Sequence, residues 1–189
     1  RAIDRGLGKL PGQSIEEVIY EGFGPGKIAF YLEGVTDNKL RTNSEIKSLF
    51  ERAGGKLGGV GSTAYMFDKK GEIRVKSEKA KGKSKDEEML ELIDLGVEDV
   101  EDYEENSPSV AGQKYLVYTE ITQLNDVSTK ITQSGFEVEF TGIIMKPNIT
   151  VAISESETAK KVVEFTEKLE DHDDIHKVYT NFEIPDDLL

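Results

Sequence analysis

The chain has 189 residues, 37% of them hydrophobic, enough for a buried core in one large domain or two small ones. It holds no cysteine, which excludes disulfides, thiolate nucleophiles and cysteine-ligated zinc, and no apolar run approaches the roughly eighteen residues that a membrane span needs. Net charge is −13 and unevenly spread: 17 Lys and Arg stand against 11 Asp and Glu through Lys85, then 7 against 26, so a +6 stretch precedes one of −19. So acidic a second part repels phosphate backbones, and within this chain most of any grip on nucleic acid falls to the first part.

In chain order, residues 1–15 read as a helix end followed by a Gly/Pro/Ser linker, which marks a domain boundary. Segments 16–23 and 27–35 read as strands of a hairpin, with a type II turn at Gly24-Pro25-Gly26. In the second, Ile28, Phe30 and Leu32 face one side and Ala29, Tyr31 and Glu33 the other, the pattern of a half-buried strand. Thr42 and Glu45 form a capping-box pair, after which Ile46, Leu49, Phe50 and Ala53 recur at helical spacing until Gly54-Gly55. A helix over 43–53 follows. Segments 64–68 and 72–75 read as a further hairpin around Lys69-Lys70-Gly71, and 76–85 as a solvated linker.

The acidic part begins with a helix over 86–95, a strand over 97–103 and a polar loop through Pro108. A strand at 114–120, a helix on Leu124, Val127 and Ile131 that stops at Gly135, and a strand at 136–144 complete an α-β-β-α-β unit. The end of the chain reads as a strand at 150–153, a helix capped by Ser154 and Glu157 that buries Val162, Phe165 and Leu169, and a strand at 176–183. Two strands and a helix need a sheet to complete, and the first unit has room for them. The expected organisation is a discontinuous α+β domain, 16–82 plus 147–189, with an acidic α+β domain, 83–146, inserted.

Three patterns invite a chemical reading. The glycines from Gly54 to Gly61 expose N–H groups as an anion loop would, but a nucleotide loop leads from a strand into a helix and this run does the reverse, so a helix stop and irregular turn is the default. RNA-backbone contact through Lys56 is its functional alternative. The turn from Thr36 to Thr42 joins two cations to a helix N-terminus, an arrangement fit to hold phosphate; ordinary capping explains Thr42 while leaving Asn38 and Arg41 unassigned. His172 and His176 lie four apart among acids, but that segment reads as the exit from a helix, and no metal site is expected. Without cysteine or a Gly-x-Ser-x-Gly string, nothing supports catalysis.

Four strings, YEGFGPG at 20–26, TDNKLRT at 36–42, GGKLGGVGSTAYMFDKKG at 54–71 and DDIHKVYTNFEIPDD at 173–187, resemble in order and spacing the YebC/PmpR family of small regulators. Mitochondrial translational activators of cytochrome oxidase synthesis are members of the same family. The resemblance implies two ferredoxin-like α/β sandwich domains, one inserted in the other. It also implies a basic N-terminal helical domain, of which residues 1–6 resemble the tail, so that the chain reads as lacking that domain.

The implied function is non-enzymatic regulation of gene expression, without cofactor or metal. In one version the protein is a ribosome-associated translation factor contacting ribosomal RNA; in the other it binds duplex DNA through the missing basic domain. The sequence leans toward the ribosome, because no helix carries the Arg, Asn or Gln cluster of a groove-reading helix. Lys27, Asn38, Lys39, Arg41 and Lys56 are the expected phosphate or RNA contacts, with Gly58, Gly59 and Gly61 admitting the backbone closely. No membrane partner is expected, and the place of action is the cytoplasm or, alternatively, the mitochondrial matrix.

Overall fold

The computed structural model describes residues 14–77, 82–102 and 113–185. All but the last two residues of the expected N-terminal helix end and linker lie outside them, as does the polar loop through 108. The strands and helices in chain order are β1 (Glu16–Phe23), β2 (Ala29–Thr36), α1 (Lys39–Arg52), β3 (Lys56–Leu57), β4 (Phe67–Ser77), α2 (Lys85–Asp94), β5 (Asp99–Asp102), β6 (Gln113–Thr119), α3 (Leu124–Gln133), β7 (Glu137–Pro147), β8 (Val151–Ala152), α4 (Ser156–Glu170), β9 (Ile175–Thr180) and β10 (Phe182–Glu183). They divide into two units, one reaching Asp68 and resuming at Pro147, the other Lys69–Lys146.

The first unit is built on the sheet β3-β1-β2-β9. β1 and β2 pair antiparallel from Glu16 opposite Thr36 to Phe23 opposite Ala29. Between them Gly26 takes φ 67°, the positive value a proline-glycine turn demands, and Lys27 follows at φ 60°. β2 is an inner strand and is buried on both faces, not one. Ile28, Phe30 and Leu32 enter the helix-covered core, while Tyr31 on the reverse meets the rings of Phe67 and Tyr179 at 6.2 and 6.4 Å. On the core side Phe30, Phe50 and Phe165 form a mutual edge-on cluster with centroids 4.9 to 6.0 Å apart, which locks α1 and α4 onto the sheet.

Local chemistry moved several element boundaries. α1 starts at Lys39 because Asn38, not Thr42, is its cap: the Asn38 side-chain oxygen accepts from the Arg41 N–H at 3.1 Å. Thr42 lies inside the helix, fully buried. The cap expected at Ser154 does not form; α4 begins at Ser156 after Glu155, which makes no side-chain cap bond to the helix backbone. The strand expected over 176–183 breaks at Asn181, whose buried side chain accepts from the Ala29 N–H at 2.8 Å and donates to the Ile149 carbonyl at 3.1 Å. β9 therefore pairs with β2, and β10 pairs in parallel with β8.

The second unit carries the largest departure. The hairpin expected around Lys69-Lys70-Gly71 is one unbroken strand, β4, which pairs with β6 from Gly71 opposite Thr119 to Ser77 opposite Gln113. Residues 69–77 thus belong to the acidic unit's sheet, because Ile73 and Val75 supply its core alongside Leu92, Tyr115, Val117, Val127 and Ile131. With β4 included the unit reads β-α-β-β-α-β in the sheet order β5-β6-β4-β7, which is the ferredoxin-like arrangement. The first unit has the same spatial order when β2, α1, β3, β1, α4 and β9 are taken in turn, its third strand being supplied by the start of the chain. The protein is α+β, with two ferredoxin-like sandwiches.

Candidate nucleic-acid interface

The structure sends the expected contact residues to two ends of β2, which by its length lie roughly 25 Å apart. Beyond its Thr36 end stand Asn38, Lys39 and Arg41; beyond its Ala29 end, Lys27 and Lys56.

At the Thr36 end the chain neutralises its own cations. Lys39 pairs with Glu16 at 3.0 Å, and the Arg41 guanidinium donates to Asp37 at 3.0 Å and Asp174 at 2.9 Å. Asp174 also accepts from the hydroxyls of Thr42 at 2.6 Å and Thr36 at 3.1 Å. Burial pushes the Asp174 carboxyl up, but these three donors outweigh it and hold it below the usual carboxylate range. Asn38 and Arg41, which capping alone left unassigned in the sequence, both have internal roles.

Beside this network the ligand atoms of Glu45, His172 and Asp174 lie within 4.8 Å of one another, the spacing of a possible metal set. His172 Nδ1, however, accepts from the Asp174 N–H at 3.2 Å, so Nε2 carries the ring proton and donates to Glu45 at 3.1 Å. With Arg41 already on Asp174, the three side chains close a hydrogen-bond network around a resident cation. His176 lies apart from it, in β9.

The glycine-rich run holds an anion of the protein's own. Glu21 on β1 is buried, and its carboxylate accepts from the N–H groups of Gly61, Thr63 and Ala64, each at 2.8 Å. Burial raises its pKa, but the three backbone donors and the Thr63 hydroxyl prevail and lower it. The Gly58 N–H is taken by the Glu21 carbonyl at 2.8 Å, so of the three glycines singled out in the sequence two spend their amides internally. What stays open is the loop tip, where a side chain added at Gly59 would meet nothing and Val60 is 98% exposed.

Lys27 and Lys56 differ from the other cations of the set. Lys56 sits opposite Phe23 at the end of β1, next to the turn that carries Lys27; both are exposed and in no ion pair among the described residues. Arg52, at the last position of α1, stands at the same end, and across a cleft from it lies Lys168 of α4; both are exposed and in no ion pair among the described residues. Lys161, one more cation here, is held by Glu157 at 2.7 Å. The sequence reading had not gathered these residues. The available signal was the seven-residue spacing of Lys161 and Lys168, two turns apart on one face of α4.

Against this geometry the relatives are consistent along the whole chain. Residues 15–182 match the model of the second and third domain of TACO1/YebC proteins. The chain belongs to the TACO1/YebC family. It is 40% identical over 189 residues to a probable transcriptional regulatory protein of Aquifex aeolicus and 42% identical to one of Fusobacterium nucleatum, covering all of this chain and 72% of each relative. It also resembles the crystal structure of a conserved hypothetical protein from Aquifex aeolicus, with TM-score 0.81 and 39% identity over 98% of this chain and 72% of that one.

Proposed function

We propose that this TACO1/YebC protein is a non-enzymatic regulator of gene expression that works at the ribosome, contacting ribosomal RNA through the basic end of its first unit. The observation that carries the reading is that Lys27, Arg52 and Lys56 share one end of the first unit, in a chain of net charge −13, without ion pairs among the described residues. Cations left without internal partners keep their full charge for phosphate, and phosphate contacts supply most sequence-independent affinity. The turn at Asn38, Lys39 and Arg41 is a lesser contact in this reading, because a phosphate there must compete with four carboxylates already in place.

The second reading is a DNA-binding transcriptional regulator, which the names of the relatives favour. Against it, the surface of α1 outside its apolar face offers two cations beyond the self-paired turn, Lys47 and Arg52, and a single amide, Asn43, and Lys47 already faces Glu51 at 3.8 Å. Co-sedimentation with ribosomes in moderate salt, set beside affinity for random duplex DNA, separates the two. The doubly substituted Lys27→Glu/Lys56→Glu protein should lose ribosome binding at least tenfold and show a shallower salt dependence. Unchanged binding removes the site, and selective DNA binding without ribosome association establishes the transcriptional reading.

A further inference from the structure

Between α1 and α4, at the basic end of the first unit, lies a cavity of about 320 Å³ that none of the expected contact residues lines. We propose that this cleft is a binding site for a single nucleotide, with the phosphate held by Arg52 and Lys168 and the base or sugar laid on an apolar floor. The site shares Arg52 with the ribosomal reading, but Lys27 and Lys56 are not part of its wall, so the two can fail separately.

The cleft follows from where α1 ends. α1 stops at Arg52, and Gly54 at φ 75° turns the chain away, while α4 continues alongside. The space left is floored by Leu49, Ala53 and Pro25 and by the edge of Phe165, whose ring is fixed in the aromatic cluster. A floor of this kind is rigid and apolar. Its size is at the lower end of the range for small-molecule sites, which suits a single nucleotide.

The rim is charged in one sense with a single exception. Arg52 offers a planar fork that matches two phosphate oxygens, and Lys168 a compact point charge; neither has an ion-pair partner among the described residues. Lys161 is already tied to Glu157 and acts as a secondary charge. Glu164, the acid on the rim, is an acceptor suited to a ribose hydroxyl or a base amino group. Cation, apolar platform and one acceptor together describe a nucleotide better than a bare anion, which would leave the floor unused.

The same chemistry arrives either as a free mononucleotide or as a nucleotide presented by an RNA strand, and the test has an arm for each. The 189-residue protein is titrated with AMP, GMP, CMP and UMP, with a single-stranded RNA octamer, with inorganic phosphate and with hexaglutamate, following the methyl resonances of Leu49 and Ala53. Expected are saturable shifts of both methyls with at least one mononucleotide. Affinity should fall at least tenfold in Arg52→Glu and in Lys168→Glu but stay within twofold in Lys47→Glu, whose charge lies outside the cleft. Ala53→Leu, which fills the floor without altering charge, should weaken the nucleotide tenfold and leave weak phosphate binding unchanged.

If only the octamer moves the two methyls, with the same variant losses, the source is an RNA strand and the site stands. The proposal is overturned if neither nucleotide form moves them, if phosphate binds as tightly as the nucleotide, or if hexaglutamate displaces it. Failure of the ribosomal reading looks different: Lys27→Glu/Lys56→Glu would then leave ribosome association intact, with no bearing on the methyl shifts.

Discussion

Glu21 and Asp174 do at the residue scale what an external phosphate was expected to do. Each sits among donors that a sequence reader would assign to a ligand: backbone amides of a glycine-rich loop for Glu21, and two threonines with an arginine for Asp174. Glu21→Gln keeps the shape but sets an NH₂ group against an N–H donor, and should destabilise the first unit by about 1–3 kcal/mol at pH 7 in urea unfolding. The direction of the pH effect follows from the lowered pKa. The unfolded carboxyl titrates near 4.5 and the folded one below it, so the carboxylate's contribution is complete above about pH 4.5 and is lost as pH falls through the folded value. The gap between wild type and Glu21→Gln should therefore narrow on acidification below 4.5; a gap independent of pH would mean that the three amide bonds do not favour the ionised carboxylate.

Helix entry shows the difference between a capping pattern and a cap at the element scale. Ser84 and Glu87 make the reciprocal bonds of a capping box at the start of α2, the Ser84 N–H donating to Glu87 at 2.7 Å and the Glu87 N–H to Ser84 Oγ at 3.3 Å. Ser154 and Glu157 have the same spacing and do not cap α4. Ser84→Ala should cost about 1 kcal/mol and Ser154→Ala less than about 0.5 kcal/mol, measured as shifts in urea midpoint. Equal costs would contradict the assigned helix starts. Periodicity over ten residues was legible: the buried faces of α3 and α4, and the glycine stop of α1, stand where the apolar spacing put them. Partners far apart in sequence were not. Asp174, which occupies the Thr42 hydroxyl, is 132 positions away, and the loop that Glu21 holds is about 40 away, so no window along the chain contains either pair. β4 was misread for the same reason: Lys69-Lys70-Gly71 has the composition of a turn, and only pairing with β6, near residue 119, makes it strand.

At the scale of the whole molecule, the chain leaves the first unit at Asp68 and returns at Pro147. Those two points are neighbours within that unit: the Asn148 N–H donates to the Met66 carbonyl at 2.9 Å, and its side-chain amide donates to the Tyr65 carbonyl and the Asp68 carboxylate, both at 3.2 Å. Every residue of the first core, from Val18 to Ile175, lies outside the intervening segment. We therefore propose 69–146 as a removable insert, and that replacing it with two glycines between Asp68 and Pro147 should leave a protein that unfolds cooperatively. Loop-closure entropy favours the shortened form, since a two-residue link between fixed neighbours costs less than a long one. The remnant keeps Lys27, Arg52, Lys56 and Lys168 and should retain both ribosome association and the nucleotide-induced methyl shifts at Leu49 and Ala53. A remnant that folds and binds nucleotide but no longer sediments with ribosomes would place the ribosomal contact in the acidic unit instead. One that melts without cooperativity would show that the first core depends on the insert, contrary to its closed set of contacts.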